Sequence, residues 1–205
     1  MTPHDRSSSD LATLPAPALA LQVHPASAWQ PDLTVTASLA LAGTLDGPAL
    51  LIDYRIHGDL RDLKIPPPTD PVATDGLWQH TCAEAFLGLA QAAAYREFNF
   101  SPSSQWASYA FEDERVRASA SVPVGHACPA VSCSATSDTI HVLALIPAPL
   151  WPAPGPCLIG LTTVLEHEDG RLSYWALAHP KDRPDFHDRQ AWTPLPFSLS
   201  GHRPS

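Results

Sequence analysis

Proline is spread through almost the whole chain, with 23 prolines among 205 residues. A proline inside a helix removes a backbone hydrogen bond and clashes with the preceding turn, so long helices are not expected. Nine short runs, alternating or apolar, instead lie between proline, glycine, aspartate and serine residues: 18–23, 33–41, 49–56, 84–89, 95–100, 106–111, 139–146, 157–166 and 172–177. Runs of this kind predict an all-β fold, an antiparallel two-sheet sandwich of jelly-roll or immunoglobulin-like type.

The length of the chain fits one domain with a sizeable core and is short for two. We expect the sandwich over residues 18–198, between a flexible tail at 1–17 and another at 199–205. Two long connections, 57–78 and 178–192, carry aromatic and charged residues. Sandwiches usually place their binding sites on loops of this kind.

Charge and hydropathy exclude two classes of partner. The formal net charge is -9 and the 12 lysines and arginines are scattered, whereas a nucleic-acid backbone needs a clustered positive surface. No run of about 18 apolar residues is present, so no membrane-spanning helix is predicted. The N-terminus lacks the positive start and uninterrupted apolar segment of a signal peptide, which predicts a cytoplasmic location, with a periplasmic or extracellular one as the alternative. A small-molecule ligand, such as a saccharide, is the expected partner.

Common catalytic motifs are missing from the sequence. It contains no phosphate-binding glycine loop, dinucleotide fingerprint, Gly-x-Ser-x-Gly or His-Glu-x-x-His segment. Glu84 with Glu97, or Glu166 with Glu168, would supply the residue types for glycoside hydrolysis, but that reaction also needs a set separation between carboxyl groups. We therefore expect a binding domain with no catalytic residue.

The sequence contains one cluster of possible metal ligands and four cysteines. His179, Asp182, Asp185 and His187 have metal-ligand side chains, but the prolines between them fix no geometry, so the sequence predicts a solvated loop and no metal. No Cys-x-x-Cys pair is present, and a chain of this size does not depend on disulfides. Free thiols are therefore predicted for Cys82, Cys128, Cys133 and Cys157.

Residues 95–111 predict a β-hairpin with a five-residue loop at 101–105. This register pairs Phe100 with Trp106 and Glu97 with Tyr109. Since side chains alternate between the two faces of a strand, one face is aromatic and builds core: Phe98, Phe100 and Trp106. The opposite face carries Tyr95 together with three side chains that a ligand could touch: Glu97, Asn99 and Tyr109.

A sugar site needs a flat aromatic face and polar groups that bond hydroxyls directionally. The candidate platforms are Trp78, Trp106, Trp175 and Trp192, of which the hairpin register makes Trp106 structural. Trp78 and Glu84 would lie about 20 Å apart in one extended strand, so a turn at Trp78 is needed to bring both to one ligand. The alternative is that the tryptophans fill the core and the polar residues face solvent.

Three segments, 75–87, 95–111 and 174–188, resemble the DOMON-like proteins, relatives of the family 9 carbohydrate-binding modules and of haem-binding DOMON domains. The resemblance covers about residues 18–198. It implies a jelly-roll-like sandwich with one ligand site, in which Trp78 stacks on a sugar, Glu84 takes its hydroxyls and Trp175 closes the other face.

The sequence thus favours non-enzymatic binding of a carbohydrate or polyol. The predicted ligand-binding residues are Trp78, Glu84, Arg96, Glu97, Asn99, Tyr109, Trp175 and His179. One alternative is a carrier of haem or another cofactor, although no cofactor is expected. Because the only methionine is Met1, haem ligation would fall to histidine, from His80, His141, His167, His179 and His187. The other alternative is an enzyme of sugar or cell-wall precursor metabolism.

Overall fold

A computed structural model describes residues 17–119 and 127–199 of the chain. The described residues form short 3-10 turns at Leu77–Gln79, Ala148–Leu150 and Arg189–Ala191, and none of these is long or apolar enough to span a bilayer. The strands are β1 (Leu19–Val23), β2 (Leu33–Thr44), β3 (Gly47–Gly58), β4 (Cys82–Leu89), β5 (Tyr95–Phe100), β6 (Trp106–Asp113), β7 (Val116–Arg117), β8 (Ala130–Ala135), β9 (Thr139–Pro147), β10 (Cys157–Glu166), β11 (Leu172–Ala176) and β12 (Thr193–Pro194).

Each of the nine predicted runs is a strand, and the predicted all-β sandwich is confirmed. Three strands were not predicted: β7, β8 and β12. β7 and β12 have two residues each, and β8 consists mostly of alanine and serine, which have low strand propensity. Most of both predicted tails lies outside the described residues. Leu199, the first residue of the second predicted tail, is buried in the core.

The strands form two layers that share β1. The front sheet has the order β7-β6-β5-β4-β10-β11, with β12 beside β10, and the back sheet has the order β1-β2-β3-β9-β8. β1 pairs with β11 at one end and with β2 at the other, so the chain passes from one layer to the other through it. All these pairings are antiparallel.

The main core lies between the inner faces of the two sheets. In β2 the alternation predicted from the sequence is observed, because Val35, Ala37 and Leu39 are buried while Thr34 is exposed. The front sheet contributes the aromatic side chains of its inner face: Phe98, Phe100, Trp106 and Trp175. Tyr54 also joins the layers, because its hydroxyl donates to the main-chain carbonyl of Glu84 at 2.5 Å.

A second, smaller cluster covers the outer face of the front sheet. It includes Phe86, Tyr95 and Trp192 and lies beneath the long connections that the sequence marked as candidate binding loops. Trp192 lies against β10 at Gly160, where an added Cβ would stand 2.7 Å from the indole ring. The Trp192 indole N–H donates to the Phe186 carbonyl at 3.0 Å, which fixes the 178–192 loop over the sheet.

The four cysteines are free thiols, as predicted. Cys82 and Cys157 are buried, Cys133 is partly buried and Cys128 is exposed. Burial raises the pKa of the Cys82 thiol well above its ordinary value, so this side chain is a neutral packing group.

Candidate functional site

A cavity of about 470 Å³ opens on the outer face of the front sheet. Its floor comes from neighbouring strands, with Glu84 and Phe86 on β4 and Glu97 on β5. Its walls come from Tyr174 on β11 and from the 178–192 loop. The loop predicted to carry a binding site therefore closes over a sheet surface that supplies the polar groups.

Glu84 and Glu97 are the two acidic groups of the floor. Glu84 pairs with Asn99 across β4 and β5, so Glu97, two residues before Asn99, is its diagonal neighbour on the same face. Both carboxyl groups are buried, with residue exposures of 3% and 6%. The Asn99 amide donates to Glu97 Oε1 at 2.7 Å. Glu84 Oε1 has no hydrogen-bond partner among the described residues.

Burial dominates the electrostatics of these two carboxyl groups. It raises the pKa of Glu84 well above the ordinary value, and the negative charge of Glu97 raises it further. The Thr162 hydroxyl on β10, which lies near the carboxyl group without meeting hydrogen-bond geometry, offsets the shift only in part. Burial also raises the pKa of Glu97, whereas the Asn99 amide and the guanidinium groups of Arg117 and Arg115 oppose that shift. The pair therefore retains a proton at pH values at which isolated glutamates are charged.

Trp78 stands at the mouth of the cavity and is 48% exposed. It lies in the 3-10 turn Leu77–Gln79, which follows Gly76. Gly76 has φ 76°, a left-handed conformation that costs other L-residues about 1 kcal/mol or more. Trp78 and Glu84 would be too far apart for one ligand if the chain were extended between them. The turn at Leu77–Gln79 brings both residues to the same cavity.

His187 forms part of the wall between the loop and the floor. Its Nδ1 lies 2.6 Å from the Tyr95 hydroxyl, whose oxygen also accepts the Arg115 main-chain N–H at 3.2 Å. Burial and the nearby Arg115 charge lower the pKa of His187 to about 4, so the ring is neutral near pH 7. With the Tyr95 proton directed at Nδ1, the ring hydrogen belongs on Nε2, which lies 3.7 Å from Glu97 Oε2.

Cationic side chains lie at the rim, held by partners outside the floor. Arg115 is bonded to Asp185 at 2.6 Å, and Asp185 also accepts from Lys181 at 2.7 Å. The Arg117 guanidinium lies over the Tyr109 ring, 3.9 Å from its centroid. The Arg115–Asp185 pair attaches the 178–192 loop to the β6–β7 hairpin, and Arg115 and Arg117 both line the cavity.

Three of the eight residues predicted to bind a ligand line this cavity: Trp78, Glu84 and Glu97. Asn99 is fully buried behind Glu97 and holds it in place. Tyr109 faces a neighbouring depression, where its hydroxyl donates to Asp75 Oδ1 at 2.6 Å. The predicted hairpin register is confirmed, with Glu97 opposite Tyr109 and Phe100 opposite Trp106.

The other three predicted residues lie elsewhere. Trp175 is in the main core, and its indole N–H donates to Ser173 Oγ at 3.0 Å. Arg96, on the opposite side of β5 from Glu97, lines a separate groove of about 290 Å³. His179 has Nε2 2.8 Å from the Gln22 carbonyl and lies outside the cavity lining.

Strand alternation explains both what was misplaced and what was missed. Tyr174 lines the cavity because it precedes Trp175, and successive side chains of a strand point to opposite faces. Phe86 lines it because it is two residues after Glu84. The same rule, applied to β4 and β11, would have found both residues. Phe186 sits on a loop without periodicity, where the sequence gives no comparable signal.

Of the histidines considered as haem ligands, His187 is the one that lines the cavity. His80 instead contacts Glu166, with Nδ1 and Oε2 2.8 Å apart. Across residues 17–119 and 127–199, no three histidine, cysteine, aspartate or glutamate side chains are placed to hold a metal ion.

Comparison with known proteins shows the fold. No protein-family model matches the chain, and no curated protein matches it significantly. Among solved structures, a candidate carbohydrate-binding protein from Bacteroides uniformis is 14% identical, with a TM-score of 0.59 over 88% of this chain and 86% of that one. A family 9 carbohydrate-binding module from Caldicellulosiruptor kristjanssonii, in complex with glucose, is 9% identical, with a TM-score of 0.55 over 86% of this chain and 82% of that one. The chain thus has the sandwich fold found in these two proteins.

Proposed function

We propose that this chain is a non-enzymatic binding domain for a carbohydrate or polyol, which it holds in the front-sheet cavity. The observation that carries the proposal is the half-exposed Trp78 at the mouth of a cavity whose floor holds the buried carboxyl groups of Glu84 and Glu97. An aromatic face packs on the C–H groups of a sugar ring, while carboxyl oxygens accept hydrogen bonds from its hydroxyls.

The size and lining of the cavity suit a small polar ligand. Pockets for such ligands span about 300 to 1,000 Å³ and combine apolar walls with a few placed polar groups, and this one measures about 470 Å³. Trp78 offers a platform, Tyr174 and Phe186 supply walls, and the carboxyl oxygens of Glu84 and Glu97 accept hydrogen bonds from hydroxyl groups. The Nε2–H of neutral His187 adds a donor beside Glu97.

The structural neighbours support the same proposal. One is a candidate carbohydrate-binding protein and the other is a carbohydrate-binding module in complex with glucose. Both descriptions are of binding and not of catalysis. We include in this proposal that the chain is related to the DOMON-like proteins, which its sequence motifs resemble.

The test is a screen of monosaccharides, disaccharides and polyols by tryptophan fluorescence and calorimetry. We expect at least one compound to bind and to quench fluorescence, and Trp78→Ala to weaken that binding about fivefold, since a lost aromatic contact is worth about 1 kcal/mol. Trp78→Phe should keep much of the affinity while losing most of the quenching.

Trp29→Phe is the matched control. Trp29 packs against the core, with its ring 5.1 Å from that of His167, and is outside the cavity lining. This variant should leave both affinity and quenching unchanged. The proposal fails if the folded protein binds no compound in the screen, or if Trp78→Ala binds as tightly as the unmodified protein.

A further inference from the structure

The floor of the cavity has an acidic group without a cationic partner. Glu84 is almost fully buried, lines the cavity and has Oε1 without a hydrogen-bond partner among the described residues. A buried carboxylate is costly unless it is paired and hydrogen-bonded. Because Glu84 lines the cavity, its carboxyl group is the position where a ligand can supply hydrogen-bond donors or positive charge.

The titratable groups around Glu84 are acids. Those whose charges interact with it are Glu97 on the neighbouring strand, Cys82 on its own strand, Tyr174 on β11 and Tyr54 from the back sheet. None of these can provide a positive charge. His187, the histidine of the wall, is neutral near pH 7.

The arginines of the rim compensate Glu97 but not Glu84. Arg115 and Arg117 stabilise the charged form of Glu97. Neither arginine is among the causes that set the pKa of Glu84, where burial and the charge of Glu97 both disfavour the ionised form. The arginines therefore balance Glu97, while a retained proton takes the place of a cationic partner at Glu84.

We propose that the cavity selects saccharides that carry a primary ammonium group, and that this group is held at Glu84 beside Glu97. The inference rests on the proposed function, because the aromatic platform and walls still bind the sugar ring. A primary ammonium has three N–H donors and one positive charge, which is what the floor lacks. Phe86 and Tyr174 also line the cavity, and aromatic rings attract cations.

Binding of an ammonium group also displaces a proton. In the free protein the carboxyl pair shares a proton, and in the complex the ammonium takes over its role of balancing charge. Affinity for an amino sugar should therefore fall as the pH is lowered and the carboxyl groups become protonated. Calorimetry in two buffers of different ionisation enthalpy should detect proton release.

The experiment titrates the full chain with D-glucosamine, D-glucose, N-acetyl-D-glucosamine and ethylammonium. We expect glucosamine to bind about tenfold or more tightly than the other three, since a hydrogen bond to a charged group contributes more than one to a neutral group. Glu84→Gln should remove most of this preference, because the amide is nearly isosteric but has no charge. Glu97→Gln should reduce it as well.

Glu112→Gln is the control, because Glu112 is exposed on β6 outside the cavity lining, and it should leave the preference intact. Circular dichroism melts establish that each variant is folded. Equal or tighter binding of glucose overturns this inference and leaves the proposed function standing. Ethylammonium binding as tightly as glucosamine overturns the selection for a saccharide, and a preference that survives both glutamine variants overturns the placement of the ammonium.

Discussion

The two faces of β4, in the middle of the front sheet, are both buried but chemically different. Along β4, Ala83, Ala85 and Leu87 point into the main core, while Glu84 and Phe86 point towards the cavity. The inner face is apolar, as a packed core requires. The outer face places a buried acid next to a phenylalanine.

The outer face keeps hydrogen-bonding capacity that the fold does not use. Glu84 Oε1 and Thr162 Oγ1, on residues paired across β4 and β10, both lack a partner among the described residues. Because buried polar groups are normally satisfied, unused capacity at a cavity floor is better explained by a ligand than by stability. The inner face determines the fold, and the outer face carries the proposed binding site.

The largest effect on stability is expected when a tryptophan on the inner face is truncated. Trp175→Ala removes a side chain from the main core and should lower the free energy of unfolding by about 3 to 5 kcal/mol. Chemical denaturation measures this. A loss below about 1 kcal/mol would contradict the assignment of Trp175 to the core.

A smaller effect is expected where the outer face is tightly packed. Gly160→Ala would place a Cβ 2.7 Å from the Trp192 ring and should cost about 1 to 3 kcal/mol of stability by displacing that ring from β10. Gly43, where an added Cβ would have no atom within 4 Å, is the control site for the same substitution. Equal stability of the two alanine variants would contradict the packing described for Trp192.

The unpaired acid should reveal itself through the pH dependence of stability. The folded pKa of Glu84 is raised above the ordinary value of 4.5, so its contribution to stability is present below that value and is lost as pH rises through the folded pKa. Glutamine does not titrate. Glu84→Gln should therefore gain about 1 to 2 kcal/mol relative to the unmodified protein near pH 8, but not near pH 4.

Denaturation of Glu84→Gln and the unmodified protein at both pH values checks this. A stability difference that is independent of pH would mean that folding does not raise the pKa of Glu84. A difference that favours glutamate near pH 8 would mean that the folded protein stabilises the charged carboxylate.

The smallest change in stability is expected at the mouth of the cavity. Trp78 is 48% exposed, so Trp78→Ala should change the free energy of unfolding by less than about 0.5 kcal/mol, although it should weaken ligand binding. A loss of several kcal/mol would show that Trp78 is a packing residue. Together with Trp175→Ala, this variant separates recognition from folding.

Alternation made much of this arrangement predictable. The register of the β5–β6 hairpin follows from the length of its loop, and it correctly places Glu97 on the face opposite Phe98. Trp175 was misplaced because a resemblance to sugar-binding proteins outweighed alternation, which puts Tyr174 on the other face. Arg96 was chosen for its residue type, but alternation puts it on the face of β5 opposite Glu97.

The position of the 178–192 loop over the front sheet could not be predicted, because it depends on contacts between residues far apart in the sequence. The pairing of Arg115 with Asp185 joins residues 70 positions apart through a loop that has no periodicity. The contact between Tyr95 and His187, 92 positions apart, is of the same kind. Strand patterns determine which face a residue occupies, but they do not determine where an irregular loop crosses that face.

The most direct test of the central claim follows the six tryptophan indole N–H signals by NMR during titration with the best-binding saccharide. The account predicts that the Trp78 signal shifts in proportion to occupancy while the core signals of Trp106 and Trp175 remain in place. A shift of the Trp175 signal with Trp78 unaffected would contradict it, because the ligand would then be bound away from the front-sheet cavity.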